Sequence, residues 1–145
     1  MSKWELYALR FGAIQGIIMS LYHFTRPAQF GWAQFMPADA PTVTWALYAL
    51  NSYFSFNLLM VSSVFGYFLF RKKHLKLQIL VLSTLSIAFW SFSVVYQLME
   101  PMPLPGSLDW LGLLLPGLAL GNALVIGVPT WRMGRRYVHS HSTGS

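Results

Sequence analysis

The chain of 145 residues is 55% hydrophobic and only 10% charged, with a mean hydropathy of +0.49. Soluble domains carry charge on about a quarter of their residues, so this composition excludes an ordinary soluble domain and, at this length, predicts one membrane-embedded unit. The lack of cysteine excludes disulfides, thiolate metal sites and cysteine nucleophiles, and the formal charge of +6 does not point to nucleic acid, because seven of the ten Lys and Arg lie at 71–76 and 132–136 beside apolar runs.

The first apolar run, 6–24, carries Arg10 close inside its start, where a snorkelling guanidinium is expected to reach the headgroups. A signal peptide is the competing reading of this end, because Lys3 precedes the run and Ala38-Asp39-Ala40 has the form of a cleavage site. That site lies too far beyond Phe24, so the run reads as a retained span. Ala8, Gly12, Gly16 and Ser20 recur every four residues and make a ridge of small side chains that includes a GxxxG. Such a ridge admits a neighbouring helix closely, within the bundle or, as the alternative, in a dimer. Residues 25–44 mix Pro27, Pro37 and Pro41 with Phe30, Trp32, Phe35 and Met36, which predicts a segment lying in the membrane interface across the outer end.

The second run, 45–70, has no charge in 26 residues. As a straight helix it would measure ~39 Å, longer than ~30 Å of hydrocarbon, so it should tilt or start among headgroups. Its Asn51, Ser55, Ser62 and Gly66 share one helical face, which predicts that this face looks into the bundle. A basic turn at 71–76 leads into the third run, 77–99. There Ser83, Ser86, Trp90, Ser93, Gln97 and Glu100 follow one another at alternating intervals of three and four, a polar and small-residue seam that neighbouring helices should cover. A proline-rich outer turn precedes the fourth run, 108–131, which contains Asn122, Pro129 and Pro116, the last expected to kink it. The tail 132–145 is basic, then rich in Ser and His, and reads as disordered.

The predicted fold is therefore all-α, a transmembrane four-helix bundle over 1–131 with a short tail. With the N-terminus inside, nine of the ten cations fall on the cytoplasmic side and Arg26 alone outside, which predicts a protein of the cell's inner membrane with both termini cytoplasmic.

His23, Arg26, Asn51, Tyr96, Gln97 and Glu100 fall at one depth near the outer end. Their chemistry suits the polar head of a quinone or lipid, with Glu100 fixing the tautomer of His23; the alternative is a set of interfacial residues facing water. Gly12, Gly16, Ser20, Ser55, Ser62, Gly66, Ser83, Ser86 and Ser93 are read as packing positions. Asn57 and Asn122, near mid-membrane, are expected to find hydrogen-bond partners across helices. No metal is expected, since His139-Ser140-His141 lacks a third ligand. A bis-histidine haem would need two histidines at matched depth, whereas His23 and His74 lie at opposite ends. All four carboxylates sit near the edges, which disfavours proton-coupled transport.

Gly16, then Tyr22-His23-Phe24-Thr25-Arg26-Pro27 with Phe30, then Met36-Pro37 and Pro41, resembles the DoxX-like and MauE-like four-helix membrane proteins, in which an HFxxPxxF segment often leaves the first helix. The Gly and acidic residue that commonly open the second helix there have no counterpart in Leu50-Asn51-Ser52-Tyr53-Phe54. The resemblance implies a bundle attached to a redox or maturation system, near quinone. Three functions are expected in this order: an accessory subunit of a larger membrane complex without catalytic activity of its own, a binder of quinone or lipid, and a small transporter. The expected partners are membrane lipids and either a membrane protein or a second copy of the chain, with no nucleic acid and no resident cofactor.

Overall fold

The computed structural model describes residues 1–36, 38–71, 75–100 and 109–142. Pro37, the basic turn at 72–74, the proline turn at 101–108 and residues 143–145 lie outside the described residues. Four helices follow in order: α1 (Lys3–Gln29), α2 (Pro41–Phe70), α3 (Lys76–Met99) and α4 (Asp109–Ser142).

Helix α1 starts with a capping box. The Ser2 N–H donates to Glu5 Oε2 at 2.7 Å and the Glu5 N–H returns to Ser2 Oγ at 3.4 Å, so two amides with no helical acceptor are satisfied. The helix passes the expected end at residue 24 and holds Pro27 in its last turn. Proline has no N–H, so the His23 carbonyl loses its helical donor. Asn51 of α2 replaces it, donating from Nδ2 to the His23 oxygen at 3.0 Å. A left-handed Gly31 (φ 58°) and a single 3₁₀ turn, Trp32–Gln34, then reverse the chain, and Trp32 meets Tyr48 edge to face at 5.8 Å. Gly tolerates that φ because it has no Cβ. Helix α2 begins on Pro41, a position at which no helical acceptor for an N–H exists.

Helix α4 runs through both Pro116 and Pro129 and continues to Ser142. The tail expected to be disordered is thus helical over 132–142. Its order comes from tertiary contacts: Met133 is buried, the Arg132 guanidinium stands 5.1 Å from the Trp4 ring centre, and Arg136 reaches Glu5.

The four helices pack antiparallel as two hairpins, α1 with α2 and α3 with α4, closed into a ring by α1 against α4 and, more lightly, α2 against α3. The ridge on α1 is consumed inside the bundle. A Cβ on Gly12 would collide with Ile126 of α4, and one on Gly16 with the Ser62 hydroxyl of α2. Small residues here let two helices close on α1 at once.

The distribution of side chains is that of a protein in lipid. Ser20, Ser55, Ser62, Ser83 and Ser86 are buried, whereas Phe11, Ile18, Tyr53, Phe56, Val81, Phe92 and Leu113 face outward. The buried hydroxyls of Ser20, Ser55, Ser83 and Ser86 donate to carbonyls three or four residues back in their own helices, so these contribute packing space and not bonds across the interface. By length and composition α2, α3 and the stretch Gly112–His139 of α4 can each cross a membrane. Helix α1, which carries Lys3, Glu5, Arg10 and Arg26, is not in that group, although Tyr7, Phe11, Ile14, Ile18 and Leu21 form an exposed apolar stripe along it.

Candidate functional site, an interhelical cavity

Two ends of the bundle differ in how they are closed. At the end holding the basic residues, Arg136 Nη2 lies 2.6 and 2.7 Å from the two oxygens of Glu5. Arg10 donates from Nε and Nη2 to the Leu69 carbonyl at 3.1 and 2.9 Å, satisfying an acceptor at the C-terminal end of α2 that has no helical donor. Its guanidinium also lies 4.5 Å from the Phe70 ring centre. Arg10 is therefore a tie between α1 and α2, where snorkelling to headgroups was expected.

Glu5 lies before the apolar run of α1 and is almost fully buried. Burial alone would raise its carboxyl pKa, but hydrogen bonds from the Ser2 backbone, Arg136 and the Ser2 side chain, with the charge of Arg136, hold it below the ordinary carboxylate value.

At the opposite end the hairpins part, leaving a cavity of about 620 Å³ among all four helices. Five of the six residues assigned from the sequence to a polar pocket line it: His23, Arg26, Tyr96, Gln97 and Glu100. Asn51 does not, since its amide is engaged by the His23 carbonyl. Deeper walls come from Met19, Phe54, Leu58, Phe89, Trp90, Leu115, Leu118 and Ala119, with Gln15 as a further polar group. Aromatic contacts shape one side: the His23 ring meets Phe54 at 4.9 Å, and Phe54 meets Phe89 at 5.4 Å, bridging α2 to α3.

One buried polar atom of the cavity wall lacks a partner among the described residues. Arg26 Nε is buried with no acceptor among the described residues, and its guanidinium is held between the rings of Tyr22 (5.1 Å) and Phe30 (5.4 Å). The only ion pair among the described residues is Glu5 with Arg136, so among them neither Arg26 nor Glu100 is paired and the expected bond from Glu100 to His23 does not form. Gln97 Nε2 donates to Ser93 Oγ at 2.8 Å and to the Ser93 carbonyl at 3.1 Å. Pro116 withholds an N–H from the Gly112 carbonyl, and Gly112 also lines the cavity.

The polar seam of α3 thus divides. Ser83, Ser86 and Trp90 are buried, with Trp90 also forming the cavity floor, while Ser93, Gln97 and Glu100 open into it. Asn57 does not bridge helices: it is exposed and donates to the Tyr53 carbonyl of its own helix at 2.9 Å. Asn122 is buried, and neither its oxygen nor its nitrogen has a partner among the described residues. Packing at Ser55, Ser62 and Gly66 places that face of α2 inside the bundle. No group of three metal-ligating side chains occurs among the described residues.

No family model, curated protein or solved structure matches this chain. What fold and site define together is an all-α helical bundle of membrane character with an apolar cavity that ends in a cluster of polar and charged groups.

Proposed function

We propose that this protein binds a lipophilic molecule, a quinone or a lipid, with its polar head among His23, Arg26, Gln97 and Glu100 and its apolar part against Leu58, Trp90, Leu115 and Ala119. The supporting observation is the cavity itself, which joins an apolar interior to charged groups that have no ion-pair partner among the described residues. A buried N–H without an acceptor costs about 1–3 kcal/mol, and a ligand acceptor removes that cost. Ligand sites are commonly apolar with a few convergent polar groups.

In this reading α1 is the fourth membrane crossing, with its stripe from Tyr7 to Leu21 toward lipid, and the basic end is cytoplasmic in a cell inner membrane. Exposed Trp45 and Phe35 then lie in the outer interface. The HFxxPxxF segment of α1, by which the chain resembles the DoxX-like proteins, supplies both His23 and Arg26 to the cavity wall. A role as accessory subunit is compatible with ligand binding, the ligand then serving the complex.

The test is extraction in a mild detergent followed by mass spectrometry of the lipophilic molecules retained. The expected result is one defined class retained near stoichiometry by the natural chain and lost in Leu115→Trp, whose indole intrudes into the apolar part of the cavity. Retention of the same lipid mixture by both would contradict the proposal.

A further inference from the structure

The cavity mouth carries two opposite charges that do not meet. Arg26 and Glu100 line the same space, yet no ion pair joins them. Arg26 is half-buried, whereas Glu100 stands exposed at the mouth. Here the Arg26 guanidinium lies over the Tyr22 and Phe30 rings, and its buried Nε–H has no acceptor among the described residues. Glu100 follows the last helical residue of α3, its N–H bonded to the Tyr96 carbonyl at 2.8 Å, so its backbone position is fixed as well. Gly112, whose carbonyl loses its helical donor to Pro116, also lines the cavity.

Resting on the proposed lipophilic ligand, we infer that the ligand is a zwitterion, with an oxyanion at Arg26 and a cationic nitrogen at Glu100, as in the phosphoethanolamine head of a phospholipid. A phosphate is an acceptor for the guanidinium, and an ammonium supplies donors to the carboxylate. Both charges are neutralised in one binding event, which neither a quinone, which has no charge, nor an anionic lipid, which leaves Glu100 facing like charge, achieves. The same head chemistry exists in a free solute such as phosphoethanolamine. The apolar floor at Trp90 and Ala119 favours the lipid-borne form.

The test uses the full chain, delipidated in detergent micelles and titrated separately with phosphatidylethanolamine, phosphatidylglycerol, ubiquinone and free phosphoethanolamine, with apparent Kd read by native mass spectrometry. For the natural chain phosphatidylethanolamine is expected to bind about tenfold tighter than phosphatidylglycerol, a factor equivalent to ~1.4 kcal/mol. Glu100→Gln is expected to abolish that preference without weakening phosphatidylglycerol, and Arg26→Gln to weaken both lipids; each variant is first shown to keep its helical circular dichroism and monodisperse elution. Equal binding of the two lipids by the natural chain, or an unchanged preference in Glu100→Gln, overturns the zwitterion. Binding of ubiquinone alone overturns it while the proposed cavity function stands, and binding of none of the four overturns both. Free phosphoethanolamine binding as tightly as the lipid supports the zwitterion and overturns the lipophilic ligand.

Discussion

The two ends of this bundle are built from the same four helices and close in opposite ways. At the basic end the charged groups that reach the interior, Glu5 and Arg10, find partners: Glu5 with Arg136 and Ser2, and Arg10 with the Leu69 carbonyl. Around them Leu9, Phe65, Leu69, Ile79 and Met133 are buried, and Gly12 admits Ile126. At the cavity end the same helices stand apart, and Arg26, Glu100 and Gln15 line the open space. Lipid supplies little apolar driving force between helices, so packing and hydrogen bonds must set their geometry. Concentrating those interactions at one end leaves the other free to hold space and unsatisfied groups.

This contrast can be broken most severely at the ion pair. The Glu5 side chain is 2% exposed and that of Arg136 56%, so the two halves of the pair are not equivalent. Arg136→Ala leaves a buried carboxylate and is expected to cost about 2–3 kcal/mol, whereas Glu5→Gln leaves a guanidinium that water can solvate and should cost less. Denaturant unfolding in micelles measures both; equal losses would mean that Glu5 is not buried as described. The pH dependence has a definite sign. Because the folded carboxyl of Glu5 titrates below its ordinary value, the pair stabilises the protein above that value and its contribution fades as pH falls through the lowered one. In Arg136→Ala burial dominates, and the remaining carboxyl should titrate at higher pH.

Next in size is Gly12→Val, which drives a side chain into Ile126 and is expected to destabilise by about 1–3 kcal/mol through overpacking. Ile126→Ala in the same chain should recover part of the loss, and no recovery would show that the two helices do not meet there. Arg10→Ala removes two hydrogen bonds to the Leu69 carbonyl and is expected to cost about 1–2 kcal/mol, seen as faster amide exchange in the last turn of α2. The smallest effect belongs to the cavity end. Gln97→Ala should change stability by no more than about 0.5 kcal/mol while weakening ligand retention, since its side-chain bonds among the described residues stay within α3.

Much of the fold was legible because apolar runs of membrane-spanning length are a strong signal, and α2 and α3 begin and end within a few residues of the expected bounds. The polar end of the cavity was legible too, since α1 and α3 run in the same direction and helical rise places His23 and Gln97 at one depth near their C-terminal ends. Its walls were not. Phe89 lines the cavity and Phe92 is largely exposed as well as touching it, yet both are apolar residues on one helix, and in a membrane protein outward and inward positions carry the same residue types. The ion pair of the basic end joins residues 131 positions apart, a separation no local pattern reports. For the same reason 132–142 read as a solvated tail, because the contacts of Arg132 with Trp4 and of Arg136 with Glu5 are with the far start of the chain. Asn122 remains a buried amide without a partner among the described residues, and the structure offers no physical account of it.

The most direct measurement is photo-crosslinking with a phospholipid that carries a diazirine in its acyl chain, followed by peptide mapping of the labelled protein in native-like nanodiscs. Label concentrated on Phe89, Trp90 and Leu115 at the cavity, competed by unlabelled lipid and removed in Leu115→Trp, is the expected result. Label spread evenly over outward residues such as Phe11, Ile18 and Val81, with none in the cavity, would contradict a ligand site at that end of the bundle.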